Sequence, residues 1–369
     1  MSNMVSLLQL GQSMWLDYLD RDRVINGRLK ILVEAGLRGV TSNPTIFHRA
    51  LANSQDYDAA ILDLIQADPQ IDEATLYEWL TLQDTQLAAD ILHPVYLASE
   101  GADGYVSLEV APGLAYDRDG TIEAVRHLWK AVNRENLMIK VPGTREGLAA
   151  IEQLVAEGIN INVTLLFSVE RYAEVMDAYT RGLARNPAPH RVTSVASFFV
   201  SRIDTKVDAA LGAIGTEEAK RLRGRIAIAN AKVAYQRFKA LVEASPFAEQ
   251  RARGARVQRL LWGSTSTKDP HYSDVFYVEN LIGPATVVTV PQATLDAFQH
   301  HGRVRETLED EVGAAHQDLA DLAALGVDLA RLTRELEEEG VAAFVDAYNQ
   351  TLALLKEKCY TLTKDYAMR

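Results

Sequence analysis

LMIKVP, residues 137–142, is a short run in which Leu137, Ile139 and Val141 alternate with Met138 and Lys140. Successive side chains of a strand point to opposite faces, so one face here is wholly apolar and the other carries a lysine between apolar neighbours. A lysine in that position must be desolvated, paired, or both. The same alternation recurs on either side. In YVSLEV (105–110) the apolar face is Val106, Leu108 and Val110, leaving Ser107 and Glu109 opposite. In NINVTLLF (160–167) it is Ile161, Val163 and Leu165, leaving Asn162 and Thr164.

Five more β-rich runs flank these three: MWLDYL (14–19), GVTSN (39–43), RVTSVASF (191–198), RLLWGS (259–264) and TVVTVP (286–291). Amphipathic stretches rich in Ala, Leu, Glu and Arg separate most of them, the pattern of repeated βα units around a parallel sheet. Eight is the count at which parallel strands close and fill their own interior, so the predicted fold is an α/β (β/α)8 TIM barrel with extra helices. In a closed barrel the apolar set of each strand faces the helices and the other set faces the axis. That places Lys140, Glu109, Asn162 and Thr164 on the axis, and the same parity adds Asp17 and Asn43. Barrel active sites lie at the C-terminal strand ends, where these polar groups gather.

Helical segments carry their own signals. GTREGLAAIEQLVAEG has Leu148, Ile151, Leu154 and Val155 on one face and ends at Gly158. The stretch 44–104 is long enough for more than one helix. The tail from about residue 300 reads as helices packed over the barrel, with AAFVDAYNQTLALLKEKC (342–359) the last clear one. No linker, fixed-period repeat or low-complexity tract divides the 369 residues, so one elaborated domain spanning 1–369 is expected.

Composition narrows the function. A formal net charge of -12, with Lys and Arg dispersed among acids, argues against nucleic acid as a partner. The single cysteine, Cys359, excludes an intrachain disulfide and fits a reducing compartment. The N-terminus lacks a basic region and carries Asp17 and Asp20, and no apolar run of about 18 residues follows, so a cytoplasmic protein without membrane attachment is expected. A monomer and a homodimer are both compatible with the sequence.

Desolvation lowers a lysine pKa and frees the amine to attack a carbonyl, which makes Lys140 a candidate nucleophile. Asp17 and Glu109 are the natural acid and base beside it. Each has a plain structural alternative: an ion pair between Lys140 and Glu109 or Asp17, and a helix N-terminal role for Asp17. His300 and His301 have no carboxylate or cysteine at ligand spacing, so no metal site is expected. GADG (101–104) is too short a glycine turn to cradle a phosphate, and no P-loop or dinucleotide fingerprint occurs.

These residues sit in strings that resemble the transaldolase family, especially its longer bacterial branch. GVTSNPTIF (39–47), VSLEVAPGLAYD (106–117), LMIKVPGTREG (137–147) and GININVTLLFS (158–168) carry the likeness through their order and spacing, and SVASFFVSRID (194–204) looks like the family's phosphate segment. The resemblance implies a cofactor-free class I aldolase mechanism. Dihydroxyacetone would pass reversibly from sedoheptulose 7-phosphate to glyceraldehyde 3-phosphate, giving erythrose 4-phosphate and fructose 6-phosphate in the pentose phosphate pathway. By motif position Lys140 looks like the Schiff-base lysine and Asp17 like the group that takes the C4 hydroxyl proton. Glu109 and Thr164 would manage the water of imine formation and hydrolysis. Asn43 would orient substrate hydroxyls, and Ser197 and Arg202 would hold phosphate. Two departures stand out. GSTSTKDP (263–270) replaces a segment that elsewhere ends in a second phosphate-binding arginine, so Lys268, or Ser264 with backbone donors, takes that place; and Phe198 stands where many relatives have proline. The related fructose 6-phosphate aldolases are much shorter and lack a glutamate at the position of Glu109, which favours transfer over simple release. A catalytically dead barrel retained for binding is disfavoured by the full set of inward polar residues.

Overall fold

Eight parallel strands close on themselves in chain order. They are β1 (Gln12–Leu16), β2 (Gly39–Thr41), β3 (Tyr105–Glu109), β4 (Leu137–Pro142), β5 (Ile161–Leu166), β6 (Ser194–Phe199), β7 (Arg259–Gly263) and β8 (Thr286–Val290), with β1 paired to β8. This computed structural model describes residues 2–367, with side chains through Lys364. The result is the expected (β/α)8 barrel.

Three strands, β1, β2 and β6, depart from the β-rich runs by two residues or more at an end, each for a local reason. β1 starts two residues before MWLDYL because Gln12 and Ser13, though polar, find partners in the fold: the Gln12 amide donates to the Leu281 carbonyl at 2.7 Å and the Ser13 hydroxyl to Asp103 at 2.6 Å. At its other end Asp17 lies just past the strand, although its N–H still donates to the Val290 carbonyl at 2.8 Å. β2 stops at Thr41 because Asn43 caps the helix Pro44–Ala52, its side-chain oxygen accepting the Ile46 N–H at 3.0 Å. β6 begins only at Ser194 because Pro189–Arg191 forms a 3-10 turn.

The axis is filled in its middle by Trp15, Tyr105, Met138, Val195, Leu261 and Val287, none more than 1% exposed. This apolar plug closes the barrel beneath the polar C-terminal end. Gly39 belongs to the fit: a Cβ there would lie 2.5 Å from the Trp15 indole. Outside, Leu137, Ile139 and Val141 of β4 are fully buried against the helices, as alternation requires. The helix Arg145–Ala156 buries Ile151, Leu154 and Val155 and is capped by the Thr144 hydroxyl; Gly158, at φ +92°, turns the chain into β5.

The stretch after β2 holds three helices, Pro44–Ala52, Asp58–Ala67 and Glu73–Ala98. The tail holds Val312–Ala324 and the 39-residue Leu329–Ala367, which packs on all three of those helices. Its Phe344 reaches the cavity at the C-terminal strand ends. Among the described residues no helix is long and apolar enough to cross a membrane.

The Trp15–Gly39 contact predicts that Gly39→Ala lowers stability by about 1–3 kcal/mol through overpacking. Thermal unfolding should show a lower Tm than wild type. An unchanged Tm would mean that the indole does not lie against this position.

Candidate active site

Lys140 stands in register between Glu109 of β3 and Asn162 of β5. Its side chain is 5% exposed and its Nζ lies 3.3 Å from Glu109 Oε2, whose side chain is 4% exposed. The ammonium also donates to the Ser42 carbonyl at 3.1 Å, which fixes the end of a flexible four-carbon arm. Burial pushes the Glu109 carboxyl up from the usual range, the Lys140 charge opposes that push, and Asp17 adds to it. Neither carboxylate oxygen of Glu109 has a hydrogen-bond partner. A buried charge pair of this kind is weak evidence for stability and stronger evidence for a site, because its desolvation cost is recovered only in part.

Asp17 is held from the side. The Thr41 hydroxyl donates to Asp17 Oδ1 at 2.7 Å, and Thr289 lies 2.8 Å from Thr41. Thr41 has one proton and spends it on Asp17, so Thr289 donates to Thr41. A second chain crosses three strands: the Ser197 hydroxyl donates to Asn162 Oδ1 at 2.7 Å, and the Asn162 amide donates to Ser107 at 3.0 Å. Thr164 follows on the same face of β5, with its hydroxyl fully buried and without a partner.

A cavity of about 230 Å³ opens above these groups, and Asp17, Asn43, Lys140, Ser197, Arg202 and Lys268 all line it. Glu109 and Thr164 do not line it; Glu109 stands beside Lys140 on β3, and Thr164 is in register with Pro142 on β5. Asn43 has its carbonyl oxygen occupied by the helix cap, which leaves its amide group for a ligand. Ser197 lies deep, in the chain through Asn162, rather than beside the cations.

Those cations are Arg202, Lys268 and Arg49, the last from the helix Pro44–Ala52. None forms an ion pair among the described residues. Burial holds the Arg202 guanidinium below its usual range, with Asp17 and Glu339 pulling it back up; the group also lies 5.6 Å from the Phe199 ring. Burial likewise lowers Lys268, and the charges of Arg202 and Arg49 lower it further. Its Nζ donates to Ser266 at 2.8 Å. Three unpaired, mutually repelling cations around one opening make a site for a dianion.

Arg49 and the pair Thr41–Thr289 were not singled out from the sequence. Thr41 was within reach, since the parity that puts Asn43 on the axis puts Thr41 there too. Arg49 has no such signal, because it sits on a helix and meets the other cations only in the folded chain. Among the described residues no group of three or more His, Cys, Asp or Glu side chains converges to hold a metal ion.

The geometry is therefore a buried lysine with a carboxylate at its back, a second carboxylate across the opening, and a cationic rim. Comparison with known proteins points the same way. The family model described as Transaldolase/Fructose-6-phosphate aldolase matches residues 14–355. Among similar curated proteins, the transaldolase of Thiobacillus denitrificans is 47% identical over 350 residues, covering 94% of this chain and 97% of its own. Transaldolase 2 of Nostoc punctiforme is 44% identical over 378 residues, at 98% and 99% coverage, and the transaldolase of Mycolicibacterium smegmatis is 46% identical over 356 residues, at 95% of each. With a matching barrel, matching motifs in order and relatives this similar end to end, the chain belongs to the transaldolase/fructose-6-phosphate aldolase family.

Proposed function

We propose that this chain is a transaldolase that carries a dihydroxyacetone unit between sugar phosphates as a Schiff base on Lys140. The observation that carries this assignment of roles is the Lys140 amine, buried 3.3 Å from Glu109 Oε2 beneath a mouth lined by three unpaired cations. Proton transfer to Glu109 turns the ammonium into an amine that can attack C2 of a ketose. Water leaves, and the resulting iminium is an electron sink next to the C3–C4 bond. Asp17, with Oδ1 held by Thr41, has Oδ2 free to take the C4 hydroxyl proton. The C3–C4 bond then breaks, its electron pair passes toward the iminium, and the aldose leaves while three carbons stay on Lys140. Attack of this enamine on the acceptor aldehyde reverses the sequence, and water releases the new ketose.

The chemistry needs neither a metal nor a nucleotide, since the imine supplies the electron sink. The phosphate of donor and acceptor would sit among Arg202, Arg49 and Lys268, leaving Asn43 and Ser197 to meet sugar hydroxyls. Thr164, whose buried hydroxyl lacks a partner, would share with Glu109 the water of imine hydrolysis. We place the protein in the cytoplasm, with sugar phosphates as its partners and no nucleic acid or membrane. Its charge of -12 and lone cysteine support that reading, and the chain can act as a monomer or a homodimer because every proposed group comes from one chain.

Borohydride with fructose 6-phosphate should fix a three-carbon adduct on Lys140, and Lys140→Met should lose both adduct and turnover; a modified lysine elsewhere overturns the mechanism. Asp17→Ala should stop after capture and accumulate the whole-sugar adduct, which mass spectrometry separates from the three-carbon one. A three-carbon adduct formed at wild-type speed removes Asp17 from the cleavage step. Arg202→Ala should raise KM for glyceraldehyde 3-phosphate by roughly tenfold to a hundredfold, the worth of a charge-assisted contact of ~1.5–3 kcal/mol. The KM for unphosphorylated glyceraldehyde should change little. Arg49→Ala should act in the same sense, and equal effects on both acceptors would make these arginines structural.

A further inference from the structure

Two cavities lie against Glu109 on the side of the helix Glu73–Ala98: the inner one borders the mouth at Asn43 and is backed by Phe47, Asp84 and Thr85, and the outer one reaches the helix Arg118–Val132. The inner one measures about 10 Å³, room for one water, and the outer about 250 Å³. Tyr77, Thr81, Leu108 and Glu109 line both, so the two are neighbours. The outer cavity also touches Asp72, Thr75 and His127, which are exposed, so it opens to solvent. Lys140 lines neither cavity, and Glu109 does not line the mouth.

Glu109 is thus a partition. Its Oε2 faces Lys140 at 3.3 Å, both of its oxygens lack a hydrogen bond, and the residue forms part of a solvent-linked wall. A buried carboxylate without donors is costly, and polar cavities of this size are where proteins hold water. Tyr77 is the natural second partner for such a water. Its ring is clamped edge-on by Phe47 at 5.1 Å and Tyr348 at 4.9 Å. Its hydroxyl has no hydrogen-bond partner among the described residues. Burial and the nearby Glu109 charge push the phenol up, so it stays protonated and can donate.

We propose that this rear channel holds a water on the Glu109 carboxylate while a sugar phosphate fills the mouth, with the Tyr77 hydroxyl positioning that water so that Glu109 stays aimed at Lys140 as its proton acceptor and donor. The inference rests on the Schiff-base reading above. During hydrolysis the water oxygen bonds to the iminium carbon, its proton passes to Glu109, and the C=N electron pair returns to nitrogen. As the carbinolamine collapses the C–N bond breaks and the carbonyl forms. The proton held by Glu109 and the hydroxyl proton both end on the departing amine, leaving the Lys140 ammonium. The proton that Glu109 takes in one half of the step it returns in the other, so the carboxylate must keep one orientation toward Lys140 throughout, and a water donating to it from the rear holds it there. Tyr77 is a positioning residue, because it acts through Glu109 and touches no reacting atom.

The test is rapid-quench borohydride trapping with fructose 6-phosphate on the full-length protein, following the total Lys140 adduct and its conversion from the whole-sugar to the three-carbon form. Tyr77→Phe keeps the clamped ring and removes only the hydroxyl. It should slow the appearance of total adduct about tenfold, a fraction of what a positioned acid or base supplies, and leave the later conversion at its wild-type rate. Ala124→Leu, which fills the outer cavity from the helix Arg118–Val132, should produce the same selective delay. Unchanged thermal unfolding in both variants separates the effect from a packing defect. Wild-type adduct formation in either stably folded variant, or an equal slowing of both steps, overturns the channel. Absence of any Lys140 adduct in the wild-type protein would instead remove the Schiff-base reading itself.

Discussion

Everything at the mouth of the barrel depends on holding one ammonium and one carboxylate 3.3 Å apart where neither reaches bulk water freely. Desolvation makes each group costly alone and reactive together. A closed barrel meets this demand, since its strands supply rigid, parallel anchor points and its interior is packed rather than open. The plug of Trp15, Tyr105, Met138, Val195, Leu261 and Val287 excludes water from below. The polar layer above it can then be arranged strand by strand: Glu109 and Lys140 in register on β3 and β4, Asn162 next on β5, and Ser197 beyond it on β6.

Charge is organised at two scales that point in opposite directions. The chain as a whole is acidic, at -12, yet the cavity gathers Arg49, Arg202 and Lys268, none of which forms an ion pair among the described residues. Elsewhere the pattern is the reverse: surface arginines such as Arg126, Arg134 and Arg181 each meet a carboxylate within hydrogen-bond reach. Exposed pairs of that sort contribute little to stability. Their relevance is contrast, because cations left unpaired in a protein with surplus acid are cations kept for a ligand. A local cationic rim can draw a compact anion even when the chain as a whole is acidic.

The sequence made the strands and the axis legible because both follow from a two-residue period. Lys140 and Asn162 lie within their strands and Glu109 closes β3 in register with Lys140, and the structure orients all three as alternation requires. Legibility falls at strand ends. Asn43 reads as an inward strand residue, but its oxygen caps a helix, a role set by Pro44 one residue on. Gln12 and Ser13 lie outside the β-rich run MWLDYL, since the partners that hold them in β1, Leu281 and Asp103, are far along the chain. Arg49 could not be found by periodicity at all. Its partners at the rim come from loops and helices after β2, β6 and β7, and only closure of the barrel brings these together.

The end of β5 shows how a departure from regularity is held in place. Parity continued through NINVTLLF expects an unbroken strand, but Leu165 adopts φ +60° and the pairing with β6 slips between Val163 and Leu166. A leucine in the left-handed region is strained by roughly 1–2 kcal/mol, so something must hold it there. Leu165 is 1% exposed, and its side chain lies so close to the tail helix Leu329–Ala367 that a Cβ on Gly340 would come within 2.8 Å of it. Burial of a leucine side chain is worth about 1.5–3 kcal/mol, enough to offset the backbone cost. The irregularity directly follows Thr164, the inward residue whose buried hydroxyl has no partner. The tail helix therefore does more than cover the barrel: through Gly340 it holds the turn of chain that follows Thr164, and through Phe344 it forms part of the mouth.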